Sequence, residues 1–139
     1  MRWPGVAPLF VVLAISGPVA CSDAPPSCTT VDTTCQTLYA PTFDNVYNNT
    51  LKGKCGSTDG ACHSATGRAG GMSFDTEANA YMALSTRVQA GNAACSLMIV
   101  RVTGIGQSYQ MPPGDPLDNE NERCSLIQWV QAGAPGPGQ

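Results

Sequence analysis

The sequence predicts a small, mostly α domain with long loops. Apolar residues recur at helical intervals in four stretches, and no stretch shows convincing strand alternation or an internal repeat. Between those stretches, many of the 15 Gly and 11 Pro of this 139-residue chain act as breakers. Charged residues make up only 12%, so the loops are built from small polar side chains rather than from charge runs.

The elements follow in order. Residues 1–20 combine a cation at Arg2, an apolar run from Val6 to Ile15 and small residues before Cys21, the layout of a secretory signal. Pro18-Val19-Ala20-Cys21 is similar to a lipoprotein box, which makes Cys21 the candidate lipidation site and anchors the chain to a membrane. Residues 21–41, rich in Pro and Thr, read as a flexible tether, with Cys28 and Cys35 close enough in sequence to pin a small loop. The domain spans 42–135. Its first helix, Thr42 to Lys52, has Phe43, Val46, Tyr47 and Leu51 on one face and ends at Lys52-Gly53-Lys54.

A glycine-rich loop follows from Cys55 to Gly71. Helix two, Thr76 to Val88, places Ala78, Tyr81, Leu84 and Val88 on one face, with Asp75 or Thr76 as cap. A short third helix covers residues 94–104, and GIGQSYQMPPGDPL is irregular because of its prolines. The last helix is NERCSLIQWVQAG, capped by Asn119 or Asn121 and ended by Gly133; residues 136–139 are a frayed, disordered tail.

Composition narrows function. Beyond the leader six Lys/Arg face ten Asp/Glu, a net charge near −4 with no basic cluster, which argues against a nucleic-acid partner. With Cys21 assigned to lipid, six of the seven cysteines remain: Cys28, Cys35, Cys55, Cys62, Cys95 and Cys124. In an oxidising compartment they make three disulfides, or two with Cys55 and Cys62 used otherwise. A Cys95–Cys124 bond would clamp the MPPG loop between them.

The chemistry concentrates in KCGSTDGACHSATG. Covalent haem attachment needs two thiols and an imidazole directly after the second, and Cys62-His63 supplies the second half of that pattern. Cys55 supplies the first thiol if the six residues between it and Cys62, with Asp59-Gly60 at a turn, loop out. His63 is the single histidine, so a sixth iron ligand must be another residue type. Met111, in the irregular SYQMPPG stretch, is the best candidate. Met82 and Met98 read as core, and Met72 as packing at the start of helix two. No cysteine pair has zinc-knuckle spacing, and adjacent Cys62 and His63 make a poor nucleophilic dyad, so no enzymatic activity is expected.

In order, a helix before the Cys-His element, Cys62-His63, AGGMSFDTEANAYMAL, CSLMIVRVTG, MPPG and a final LIQWVQAGAP resemble class I c-type cytochromes. The closer likeness is to the planctomycete-type cytochrome c domains of exported bacterial proteins. The resemblance implies a cytochrome c-like fold, a haem c with thioethers at Cys55 and Cys62, His63 as proximal and Met111 as distal iron ligand. It also implies that Trp129 packs the last helix on the first, and that the protein transfers electrons to an envelope redox protein. Cys28, Cys35, Cys95 and Cys124 are then the candidate disulfide cysteines. The family normally has two residues between the cysteines where this chain has six. That departure leaves open a single thioether at Cys62, or a haem-free, disulfide-braced lipoprotein with a structural or protein-binding role. Either way the location expected is the bacterial envelope, lipid-anchored and facing the periplasm or cell surface.

Overall fold

A computed structural model of the protein describes residues 24–56 and 62–139. The expected leader, the candidate lipidation site Cys21 and the expected turn at Asp59-Gly60 lie outside the described residues. Among the described residues, four α-helices, one π-helical segment and two short 3₁₀ turns make up the regular structure, and no strand occurs.

Helix α1 (Phe43–Val46) starts at Thr42, whose hydroxyl accepts the Asn45 N–H. It runs without a break into a π-helical segment, Tyr47–Cys55. The sequence predicted an end near Gly53. Instead the backbone widens to i→i+5 bonding, closing with the Gly56 N–H on the Leu51 carbonyl at 2.8 Å. This carries the helical backbone as far as Cys55.

Helix α2 (Glu77–Ser85) is capped by Thr76, and its buried face runs through Ala80 and Leu84, while Ala78 is exposed. It stops short of the expected Val88 because the Arg87 and Val88 N–H groups both turn back to the Leu84 carbonyl. The Arg87 carbonyl is thereby freed to accept the Met98 N–H of α3 at 3.1 Å. Helix α3 (Leu97–Thr103) begins after a 3₁₀ turn, Ala93–Cys95. The extended Ser96 separates the two, its hydroxyl taking the Gln89 N–H and reaching the Asn92 carbonyl. Helix α4 (Glu120–Gln131) is capped by Asn119, which accepts from Asn121 and Glu122 N–H, and Gly133 ends it at φ 104°.

The core gathers on α1 and α4. The Trp129 ring lies 5.3 Å from Phe43, which in turn meets Tyr81 edge-on at 5.0 Å. The packing of Trp129 against the first helix is therefore as the resemblance implied.

The expectations for the cysteine pairing, the tether and the tail need correction. Neither a Cys28–Cys35 nor a Cys95–Cys124 bond forms: the disulfides are Cys28–Cys95 and Cys35–Cys124. They staple the segment expected to be a tether onto the helices. Between them that segment covers the outer face of α4. Ser125 accepts the Leu38 and Tyr39 N–H groups, and Gln128 Nε2 donates to the Cys35 carbonyl at 2.7 Å. This is why α4 buries Ser125 and Glu122 as well as its apolar stripe. The expected frayed tail also folds back. Trp129 Nε1 and the Tyr81 hydroxyl donate to the Pro135 and Ala134 carbonyls, and the Gly138 N–H reaches Asp44 at 3.0 Å.

Each disulfide closes a long loop, 67 or 89 residues apart in sequence, and so removes much chain entropy from the unfolded state. Replacing Cys35 and Cys124 together by Ser is expected to cost about 2–5 kcal/mol, read as a lower urea midpoint in equilibrium unfolding.

Candidate functional site

A cavity of about 600 Å³ opens between the π-helical segment, the 62–74 loop, α3 and the 111–117 loop. That volume lies in the range of small-molecule and cofactor sites. Cys55, Cys62, His63 and Met111 all border it, so the four residues singled out from sequence line one cavity.

Cys55 is the last residue of the π-helical segment, which five-residue spacing aligns with Thr50 on the same wall. The next residue must be glycine. A Cβ on Gly56 would lie 2.8 Å from both Cβ and the carbonyl oxygen of Phe74. Across the six-residue gap the chain closes on itself: the Cys55 carbonyl accepts the His63 N–H at 3.3 Å. Cys55 and Cys62 are both free thiols, so no third disulfide forms.

The loop after His63 is folded by its own backbone. Ala69 N–H donates to the Cys62 carbonyl at 2.6 Å, and Phe74 N–H to the His63 carbonyl at 2.7 Å. Arg68, Gly70 and Gly71 make the bend with positive φ. The imidazole, 8% exposed, sits 4.9 Å from the Phe74 ring, with Nδ1 3.0 Å from the Ala69 carbonyl. A carbonyl can only accept, so Nδ1 carries the proton and Nε2 keeps a free lone pair. Burial, which outweighs the bond to Ala69, holds the His63 pKa below its ordinary value, with Arg87 and Arg101 adding to the effect. The ring is thus a neutral, oriented donor, which is what a metal-ligating histidine requires.

Met111 reaches the cavity from the loop opposite. Its N–H donates to the Arg101 carbonyl at 3.1 Å, tying the loop to α3. Met72 and Met98 also border the cavity; Met98 is 7% exposed and part of the core, as the sequence reading had it. Met82, expected in the core, is 66% exposed because it falls on the outer face of α2.

Sequence reasoning missed the rest of the wall. Lys54, Arg87 and Arg101 line a mostly apolar cavity, half of the six cations beyond the leader in an acidic chain. Their scarcity was the available signal, but nothing in their spacing brings them together. Lys54 donates to Glu122 at 2.7 Å, and Arg87 reaches the Gly70 carbonyl behind His63.

The donor set fits haem. Two thiols suit thioether formation, a neutral imidazole and an opposed thioether suit iron, and the apolar wall with cations suits a planar ring bearing carboxylates. A bare metal ion has no cage: among the described residues no three His, Cys, Asp or Glu side chains converge. A family model described as Planctomycete cytochrome C matches residues 60–115, which supports a planctomycete-type cytochrome c domain there. The match takes in Cys62, His63 and Met111 and leaves Cys55 outside it. No curated protein and no solved structure matches the chain.

Two perturbed groups on the cavity wall, His63 and Cys55, give opposite pH dependences. His63 folds neutral, so its contribution is present above its ordinary pKa of 6.5 and is lost as pH falls. Burial pushes the Cys55 thiol up to about 12, with Glu122 next in effect; its contribution is complete below the ordinary 9.0 and lost as pH rises toward 12. In protein made without haem, His63→Gln is expected to flatten the acid limb of a stability–pH profile, and Cys55→Ala the alkaline limb. Urea unfolding at each pH reads both.

Proposed function

We propose that this domain is an electron carrier of the bacterial envelope that holds a haem c through Cys55 and Cys62, with His63 and Met111 as axial ligands. The observation that carries the reading is the meeting of these four residues on one apolar cavity, despite a six-residue gap between the cysteines. The family match over residues 60–115 supports it independently.

When bound, the haem supplies a one-electron Fe(III)/Fe(II) couple; the chain's own residues tune and shelter it. The Ala69 carbonyl fixes the His63 tautomer and leaves Nε2 as the unprotonated nitrogen. Met111 offers a soft thioether, which favours the ferrous state and gives a comparatively high potential. Leu51, Phe74, Val102 and Leu117 exclude water, which strengthens that bias by making net charge costly. Arg87 and Arg101 would offset the negative charge of the ring's carboxylates, Lys54 being paired with Glu122. The reading is of electron transfer to a redox protein of the envelope without chemistry of its own.

Residues 1–20 direct export and Cys21 carries the lipid anchor in this reading. Lipid anchoring would keep the domain at a membrane surface, since no helix among the described residues is long and apolar enough to cross one. The alternative, a haem-free module braced by three disulfides, has less support because Cys55 and Cys62 are unpaired.

The full chain, made in a host with cytochrome maturation genes, is expected to keep haem through denaturing electrophoresis. Cys62→Ala should abolish that, and Cys55→Ala should leave one unsaturated vinyl, moving the pyridine haemochrome α band to longer wavelength. A colourless wild-type protein would sink the proposal. Met111→Ala should lower the potential by a sizeable fraction of the roughly 0.8 V that axial ligation spans; an unchanged potential and spectrum would remove Met111 from the iron.

A further inference from the structure

The loop that carries Met111 has little regular structure to hold it. From Gly104 to Pro116 it contains three glycines and three prolines, and most of it is exposed. An exposed loop of this kind would normally let a side chain wander, whereas a thioether binds ferric iron weakly and depends on being held in place.

One side chain in the loop is buried. Gln110 is 9% exposed, and its amide bridges the loop from both sides. Oε1 accepts the Gly106 N–H at 2.7 Å, and Nε2 donates to the Pro112 carbonyl at 2.9 Å. One partner can only donate and the other only accept, so the orientation of the amide is fixed by the network. The bonds reach back four residues and forward two, and the forward one spans Met111 itself.

The backbone on either side is held as well. The Gln110 N–H donates to the Gln107 carbonyl, the Met111 N–H to the Arg101 carbonyl, and Arg101 Nη1 to the Tyr109 carbonyl at 3.1 Å. Gly104 lets the Tyr109 ring lie against the end of α3, in space a Cβ would fill. Gln110 itself does not border the cavity, whereas Met111 does. Gln110 instead borders a separate hollow with Gly106, Pro113 and Gly114, so the amide works away from the cavity that Met111 lines.

We infer that Gln110 is a positioning residue: its carboxamide clamps the 106–112 turn and thereby holds the Met111 sulfur at the cavity. The inference rests on the haem reading of that cavity. Supporting groups behind a metal ligand are worth about 10–100-fold in ligation, and a two-bond buried clamp belongs in that range.

The test uses the full-length ferric protein with haem attached, titrated with imidazole, which competes with the sixth ligand. Gln110→Met keeps the volume and removes both bonds. It is expected to raise the apparent affinity for imidazole about 10-fold or more. The weak far-red band of thioether-bound ferric iron should fade with it. Gln110→Glu keeps the acceptor for Gly106 and loses the donor to Pro112, so it should fall between wild type and Gln110→Met; it also decides the matter if Gln110→Met fails to accumulate. Ser125→Ala, a buried hydroxyl on the far side of α4, serves as a control for general destabilisation and should leave imidazole affinity unchanged. Wild-type affinity and an intact far-red band in the Gln110 variants would overturn the inference while the haem reading stands. An equal rise in Ser125→Ala would also overturn it, since general loosening would then explain the effect. A wild-type chain without haem would overturn both.

Discussion

Glu122 places a carboxylate inside the protein at 3% exposure, and a buried charge must be satisfied by its surroundings. Its two oxygens accept from Thr50 and Lys54, each at 2.7 Å, both on the π-helical segment. Thr50 has a single hydroxyl proton and spends it on Glu122, so the Tyr39 hydroxyl, 2.6 Å away, must be the donor to Thr50. Burial raises the Tyr39 pKa to about 12, which keeps that donor protonated. One carboxylate therefore joins three parts of the chain: the stapled N-terminal segment, the π-helical segment and α4. Lys54 is 42% exposed, so the ion pair alone is worth little; the decisive term is the cost of leaving Glu122 without partners.

That junction fixes one wall of the cavity. Thr50 and Lys54 border it directly, and Cys55 follows Lys54 in the chain. The opposite wall is held differently, by carbonyls and amides of the loops rather than by charge. Ala69 orients His63, the His63 N–H binds the Cys55 carbonyl, and α3 anchors the Met111 loop through Arg101. The two disulfides lie outside this arrangement. They fasten the N-terminal segment to the 3₁₀ turn before α3 and to α4, so the elements around the cavity are braced from behind while its two thiols remain free.

Much of the helical framework was legible in the sequence because short-range rules govern it. Thr42, Thr76 and Asn119 cap where polar residues precede apolar periodicity, and Gly133 closes α4. Where prediction failed, the backbone had found a partner that local preference did not show. Gly53 did not stop the first helix, since the backbone could widen into a π turn and close on Leu51. Val88 dropped out of α2 as the Arg87 carbonyl was taken by Met98. Ser125 and Glu122 are polar, and they are buried where the N-terminal and π-helical segments pack on α4.

By itself the sequence determined the helices, the list of chemical groups and the Cys62-His63 adjacency, all of which depend on residues near one another in the chain. It also singled out Met111, because prolines bar that stretch from a helix. Only the tertiary structure decided which cysteines pair, that Cys55 lies beside the Cys-His pair, and that three cations share the cavity wall. Those facts depend on contacts tens of residues apart, where loop closure and burial choose the partners and spacing along the chain carries no record of the choice.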